Sequence, residues 1–321
     1  MIILMSSIDK LKIGNNTYLK FVKKTTFMGK KFVYKEHIGK GTSAITKEKY
    51  LLENLDKITN EELKFKLNFL KSIKGKLSYN EKLPENIEKK AIQINNLKEI
   101  KKYPKSVETD FAIKFIFNSN NIEGSKIPEE IVKKIIETGN LKYKNKNEAR
   151  EALNSIDAFE YLKDFNFNFV SIKRLYYILT KKLLMENGNP YPKGFRKVNL
   201  IVGNSSTINY KDIEKELQSL IKWYKKNKSK IHPLILAYDF HLRYEKIHPF
   251  RDANGRTGRL ILNKILMQNK YPLMIVYKEN KESYFNSIEK ARAGRKKKYY
   301  QFMLEQTNKS YDYFFKLLDK Y

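Results

Sequence analysis

His248, Asp252, Asn254, Gly255, Arg256 and Arg259 fall within one short run, His248-Pro-Phe-Arg-Asp-Ala-Asn-Gly-Arg-Thr-Gly-Arg259. An imidazole exchanges its proton near neutral pH, so His248 is a candidate general base. The Asp252 carboxylate fits two roles, a ligand for a divalent cation or the cap of a following helix. Asn254-Gly255 is a turn signal. A helix opening there would turn free N–H groups and the positive end of its dipole toward an anion. Arg256 and Arg259, three residues apart, would share a face of that helix beside the same anion. A base, a cation ligand and an anion seat in one run describe chemistry at a phosphate.

The flanking segments must hold this run. Ala237–Ile247 has no Gly or Pro and carries apolar Phe240, Tyr244 and Ile247, while Leu260–Met267 is mostly apolar at helical spacing. The prediction is helix, tight loop, helix. Phe250 reads as the anchor that fixes the loop in the core, and Arg251 receives no role. Of the four histidines, His37, His232, His241 and His248, no two lie four apart on a helix, so no histidine metal site is expected. His232 precedes Pro233 and starts a helix; His241 is a structural residue inside it.

Elsewhere the pattern is mostly helical. Residues 17–24 and 32–38 read as strands about a turn at Gly29, a β-hairpin or short meander. From about 46 to 102 the pattern is helical, interrupted by Pro84 and Pro104. From 106 onward it is helical except for the Gly/Pro-rich 187–194 and the strand-like 196–202. The fold class is mainly α, with a small N-terminal β element and a β-hairpin. The expected division is an N-terminal appendage over 1–45, a helical region over 46–105 and a core over 106–321.

The chain has 321 residues, 41% hydrophobic, and no cysteine, which excludes disulfides and thiolate zinc sites and fits a reducing cytoplasm. No apolar run approaches the ~18 residues that span a bilayer, and Met1–Ser7 is too short for a signal peptide. A soluble cytoplasmic protein with no membrane partner is expected. The net charge of +30 comes mostly from Lys spread along the whole length. That spread reads as compositional drift, and no nucleic-acid partner is expected. Arg292–Lys298 is the one local basic cluster; it fits an acidic partner or a solvated bend between helices.

The loop resembles the signature of the Fic-domain family, His-x-Phe-x-(Asp/Glu)-Gly-Asn-Gly-Arg-x-x-Arg. Ala253 alone departs, standing where the family has Gly, a change tolerable if that residue keeps φ below zero. Ser119-Asn-Asn-Ile-Glu123-Gly124 resembles the family's inhibitory motif, (Ser/Thr)-x-x-x-Glu-(Gly/Asn). Gly194–Gly203 resembles the flap that lies over a target segment. The resemblance covers about residues 60 to 300.

It implies a Fic-type helical core, with an inhibitory helix over about 110–124, a flap over about 195–210 and the active-site loop over 248–259. It implies an enzyme that moves AMP from ATP to a Tyr, Thr or Ser hydroxyl of a protein, with Mg²⁺. His248 would be the base and Asp252 the metal ligand. The nucleotide would be bound by Asn254, Gly255, Arg256, Thr257, Gly258 and Arg259, with Tyr284 and Phe285 at the adenine. Ser119, Glu123 and Gly124 would inhibit, and Ile201, Val202 and Gly203 would form the flap edge. A protein target, self-modification and a homodimer are expected as partners. The alternatives are removal of AMP or transfer of another phosphate moiety by the same site, and a nucleic-acid-binding module.

Overall fold

A computed structural model describes residues 5–41, 45–77, 82–100, 104–203 and 205–320. The architecture is mainly α, as the sequence implies. Two helices frame the loop. The first, α10 (Pro233–Ile247), begins with proline in its first turn, where a missing N–H costs nothing, and with His232 accepting the Leu234 N–H. It ends at His248, whose φ of 49° is left-handed. The second, α11 (Asn254–Gln268), is buried from Asn254 through Leu266 and so forms the centre of the core. The two lie close because Gly258 has no side chain: a Cβ there would come 2.9 Å from Glu245 Oε1 and 3.0 Å from His241 Nδ1. Around them stand α5 (Lys105–Ile122), α7 (Lys146–Tyr161), α8 (Phe169–Thr180), α9 (Ile213–Asn227), α12 (Lys281–Arg292) and α13 (Lys296–Leu318). Phe250 is fully buried and stacks on Tyr176, with ring centroids 4.1 Å apart and planes within 3°. Truncating such an anchor costs about 3–5 kcal/mol.

The remaining helices are α1 (Lys47–Glu53), α2 (Leu55–Leu67), α3 (Lys71–Lys74), α4 (Leu83–Glu99) and α6 (Glu129–Thr138). Pro84 and Pro104 begin helices rather than interrupt them: Pro84 sits in the first turn of α4, and Pro104 is the residue before α5. Gly294, at φ 86°, makes Arg292–Lys298 a bend between α12 and α13. No helix among the described residues is long and apolar enough to cross a membrane.

The N-terminal element is a three-stranded antiparallel sheet, β1 (Met5–Ile13), β2 (Asn16–Phe27) and β3 (Lys30–Lys40), in that order. The sequence predicts β2 and β3 but not β1. Residues 9–13 are all exposed, so β1 shows no buried alternation and is held through its backbone ladder to β2. The sheet buries Phe21 against Tyr50, Leu51, Ile58 and Ile100. Its fully buried Lys23 is paired with Glu62 at 2.9 Å, the partner such a charge requires.

The flap is shorter in strand than expected: β4 (Ile201–Val202) pairs with β5 (Ser205–Ser206). Residues 196–200 are fixed instead by the buried Arg196. Its guanidinium donates to the carbonyls of His248 at 2.8 Å, Val198 at 2.6 Å and Ile208 at 2.6 Å, and its N–H donates to Pro249 O at 2.9 Å. One side chain thereby ties the flap to the active-site loop.

Candidate active site

The loop must reverse the chain between α10 and α11 in a few residues, and it does so with two left-handed positions, His248 at φ 49° and Ala253 at φ 58°. The expectation that Ala253 keeps a negative φ is therefore corrected. An L-residue in that region costs roughly 1–2 kcal/mol, and burial of Ala253 holds it there. Asn254 is bracketed by the loop itself: its Oδ1 accepts the Phe250 N–H and its Nδ2 donates to Phe250 O, each at 2.9 Å. Its side chain shapes the loop that forms the start of α11. Thr257 is likewise structural, fully buried with Oγ1 donating to Ala253 O at 2.7 Å.

The seat at the start of α11 holds an anion belonging to the chain. Glu123, just past the end of α5, places Oε1 2.7 Å from Arg259 Nη2. A Cβ at Gly255 would lie 2.2 Å from that oxygen and 3.0 Å from Arg259 Nη1. The carboxylate thus rests over the helix N-terminus, where dipole and N–H groups favour negative charge. Ser119 completes the contact: its Oγ accepts from Arg259 Nε at 2.9 Å and its carbonyl from Nη2 at 2.8 Å. Burial works against the Arg259 charge, but Glu123 opposite holds it up. Arg259 Nη1 is buried without a hydrogen-bond partner, a donor left for an incoming anion.

Arg256 is also occupied. It pairs with Glu151 of α7, and Asp252 Oδ2 lies 3.7 Å from its Nη2. Burial pushes the Glu151 carboxyl up against the pull of Arg256. Burial also raises Asp252, but Arg256, the Ala253 N–H and Tyr191 outweigh it and hold the carboxyl below its usual range. The Tyr191 hydroxyl donates to Asp252 Oδ2 at 2.8 Å. Asp252 does not cap α11; its Oδ1 accepts the adjoining Ala253 N–H.

His248 has Glu245 behind it, Nδ1 to Oε2 at 3.7 Å. Glu245 Oε1 lies 4.0 Å from His241 Nδ1, and His241 Nε2 is 2.6 Å from the Tyr284 hydroxyl. Burial acts to raise Glu245, but the two histidines bring it down to about 2. Burial lowers His241 to about 4, so it is neutral near pH 7. The Tyr284 ring is buried and belongs to this row, while Phe285 is 39% exposed at the surface. The residues that sequence reasoning missed are Glu151, Tyr191, Arg196 and Glu245. Only Glu245, one helical turn before His248, carried a local signal.

Residues 167–266 match the family model described as "Fic/DOC family". They are a Fic/DOC domain. The protein adenylyltransferase Fic of Culex quinquefasciatus is 26% identical over 234 residues, 71% of this chain and 46% of that protein. The protein adenylyltransferase Fic of Drosophila melanogaster is 31% identical over 119 residues, 37% of this chain and 24% of that protein. The chain thus spans about half or less of the length of these curated relatives. A Fic-domain-containing signaling protein from Bacteroides thetaiotaomicron has the same fold, at TM-score 0.63 and 19% identity over 73% of this chain and 97% of its own. So does residues 134–508 of Fic-1 from C. elegans, at TM-score 0.61 and 20% identity over 74% and 71%. The Fic/DOC domain holds the loop, the flap and α10 and α11; Glu123 and Glu151 reach it from outside the matched residues.

Proposed function

We propose that this chain transfers AMP from ATP to a Tyr, Thr or Ser hydroxyl of a protein, itself included, and that Glu123 restrains the transfer. The observation that supports it best is the anion seat at the start of α11, a few residues from His248 and filled by Glu123. A seat that holds a carboxylate against Arg259 and the helix N-terminus suits a phosphate equally well.

The chemistry follows from the residues. His248 takes the proton of the target hydroxyl as its oxygen bonds to the α-phosphorus, and the bond to pyrophosphate breaks. The imidazolium that forms lies against the ionised Glu245, which stabilises it before the proton is released. The Gly255 N–H and Arg259 hold phosphate oxygens, and Arg256 offsets charge on the departing pyrophosphate. Among the described residues no three His, Cys, Asp or Glu converge on one point. One carboxylate suffices where substrate phosphates complete the shell of Mg²⁺, and Asp252 is that carboxylate. Bound there, Mg²⁺ would supply charge neutralisation at the phosphates. The flap edge, with Ile201 77% exposed, receives the target backbone by strand addition.

The test is incubation with α-labelled ATP and Mg²⁺, with His248→Ala beside the wild type and the Glu123→Gly chain. Label on protein that depends on His248, with a mass gain of one AMP, supports the reading. A general base contributes ~10²–10⁴-fold, so transfer above about a tenth in His248→Ala refutes the base assignment. Release of AMP from modified protein without its addition would mark the reverse reaction as the function.

A further inference from the structure

Beside the active site, between α8 and residues 181–194, lies a cavity of about 630 Å³. Its lining carries five cations, Lys173, Arg174, Lys181, Lys182 and Lys193, and no carboxylate. The cavity lining is thus more uniformly basic than the chain as a whole, which has 35 acidic residues to 65 basic ones. Lys173 does reach Glu214 at 3.8 Å, but both side chains are largely in water and such a pair holds little charge back.

The walls are fixed. Buried Asn154 donates to the carbonyls of Leu179 at 3.1 Å and Lys181 at 2.7 Å, and Asn147 donates to Leu184 O at 3.1 Å. The Tyr176 hydroxyl donates to Pro192 O at 2.9 Å. Lys182 is held at φ 60°, a conformation that costs a side-chain-bearing residue free energy. A cavity with its backbone fixed leaves only side-chain freedom to be lost on binding.

Two connections tie the cavity to the chemistry. Tyr191 lines it and donates to Asp252. Lys193 and Gly194 run directly into Phe195 and Arg196, which Arg196 pins to the His248 carbonyl. Residues 193–196 therefore join the cavity wall to the segment pinned at the active-site loop.

We propose that this groove docks an acidic stretch of the protein target, next to the segment that presents the acceptor hydroxyl. This rests on the transferase reading for the identity of the target, but the binding itself requires no transfer. An acidic stretch is the charge complement of these cations, and Tyr191 places them beside Asp252 of the active-site loop, where a protein target would present its hydroxyl. The basic stretch strongest in sequence, Arg292–Lys298, lies instead at the bend after α12.

The probe is a fluorescein-labelled peptide of six consecutive glutamates, read by anisotropy on the full chain, with a six-glutamine peptide and a twelve-base oligothymidine alongside. The groove set is Lys173→Glu, Lys181→Glu and Lys193→Glu together; the control set, of equal charge change, is Lys296→Glu, Lys297→Glu and Lys298→Glu. We expect the groove set to weaken the glutamate peptide at least tenfold and the control set less than threefold, with the glutamine peptide unbound. Raising salt from 0.1 to 1 M, which shortens the screening length from about 10 to 3 Å, weakens binding to wild type. If the groove set unfolds, Lys→Gln at the same three positions keeps the test, with at least threefold weakening expected. Equal loss in both sets, or none in the groove set, overturns the proposal, as does tighter oligothymidine binding abolished by the groove set. Labelled-AMP incorporation is measured on the same proteins. Absent incorporation would count against the transferase while the peptide affinities still decide the groove.

Discussion

Replacing Glu123 by glycine removes the carboxylate over Gly255 and frees Arg259. The bond lost is 2.7 Å long, between a guanidinium with 2% of its side chain exposed and a carboxylate with 26%. A hydrogen bond between charged groups is worth roughly 1.5–3 kcal/mol, and each 1.4 kcal/mol is tenfold in an equilibrium. A phosphate competing for Arg259 therefore meets a handicap of roughly ten- to a hundredfold in wild type. The exposed part of Glu123 favours the lower end, so transfer should rise at least about tenfold in Glu123→Gly. The fold should tolerate the change, because Glu123 lies past the end of α5 and Arg259 keeps both bonds to Ser119. The assay is labelled-AMP incorporation by wild type, Glu123→Gly, Arg259→Ala and the double variant, with ATP affinity by calorimetry. Arg259→Ala should be silent with or without Glu123. If Glu123→Gly is no more active than wild type, the carboxylate does not compete with ATP, and control lies elsewhere.

Three further outcomes are expected. Asp252→Ala should weaken Mg²⁺-dependent ATP binding and turnover, and EDTA should mimic it in wild type; unchanged Mg²⁺ dependence would make Asp252 a loop residue only. His241, near 4 in the folded chain against 6.5 ordinarily, contributes stability in full above pH 6.5 and loses it as pH falls toward 4, roughly 3 kcal/mol in all. Glu245 and Glu88, each near 2 against 4.5, add a second loss as pH falls from about 4.5 toward 2. Calorimetric Tm should thus drop on acidification from pH 6.5, and His241→Gln should flatten the upper part; an unchanged slope would refute the buried neutral histidine. Ala253→Gly relieves a left-handed alanine, roughly 1–2 kcal/mol, and forfeits one buried methyl, ~0.8 kcal/mol. Tm should rise by up to about 2 °C, and a fall would show that the methyl's packing dominates.

How much of this was legible in the sequence depended on distance along the chain. His248 through Arg259 is one contiguous run between two periodic helices, so α10, α11 and the anion seat could be read directly. Glu123 is 136 residues from Arg259, and only the resemblance of residues 119–124 to a known motif brought it in. Glu151 on Arg256 and Tyr191 on Asp252 had no such motif, and their pairing exists only once α7 and the 181–194 segment are packed. The carbonyls clamped by Arg196 and its N–H were hidden for the same reason. The sign of φ at Ala253 is a different kind of miss. It is set by the sharp reversal between two packed helices, and nothing local to an alanine signals the left-handed region.

The partners of the two arginines decide which can be released. Arg256 faces Glu151, whose side chain is 16% exposed in the middle of α7, a helix held at both ends, and Asp252 in the loop. Withdrawing Glu151 would require moving the helix or breaking its packing. Arg259 faces Glu123, which is past the last turn of α5 and followed by Gly124 at φ 114°, a conformation only glycine adopts readily. With its side chain 26% exposed, Glu123 has room to turn its carboxylate away by its own side-chain torsions while Ser119, inside the helix, keeps both bonds to Arg259. On the proposed reading a triphosphate replaces one carboxylate, and its net gain is the difference between its own bonds to the seat and those Glu123 already makes. Four carboxylates, Glu123, Glu151, Asp252 and Glu245, stand around Arg256, Arg259 and His248, so within the site itself the positive charge is already opposed.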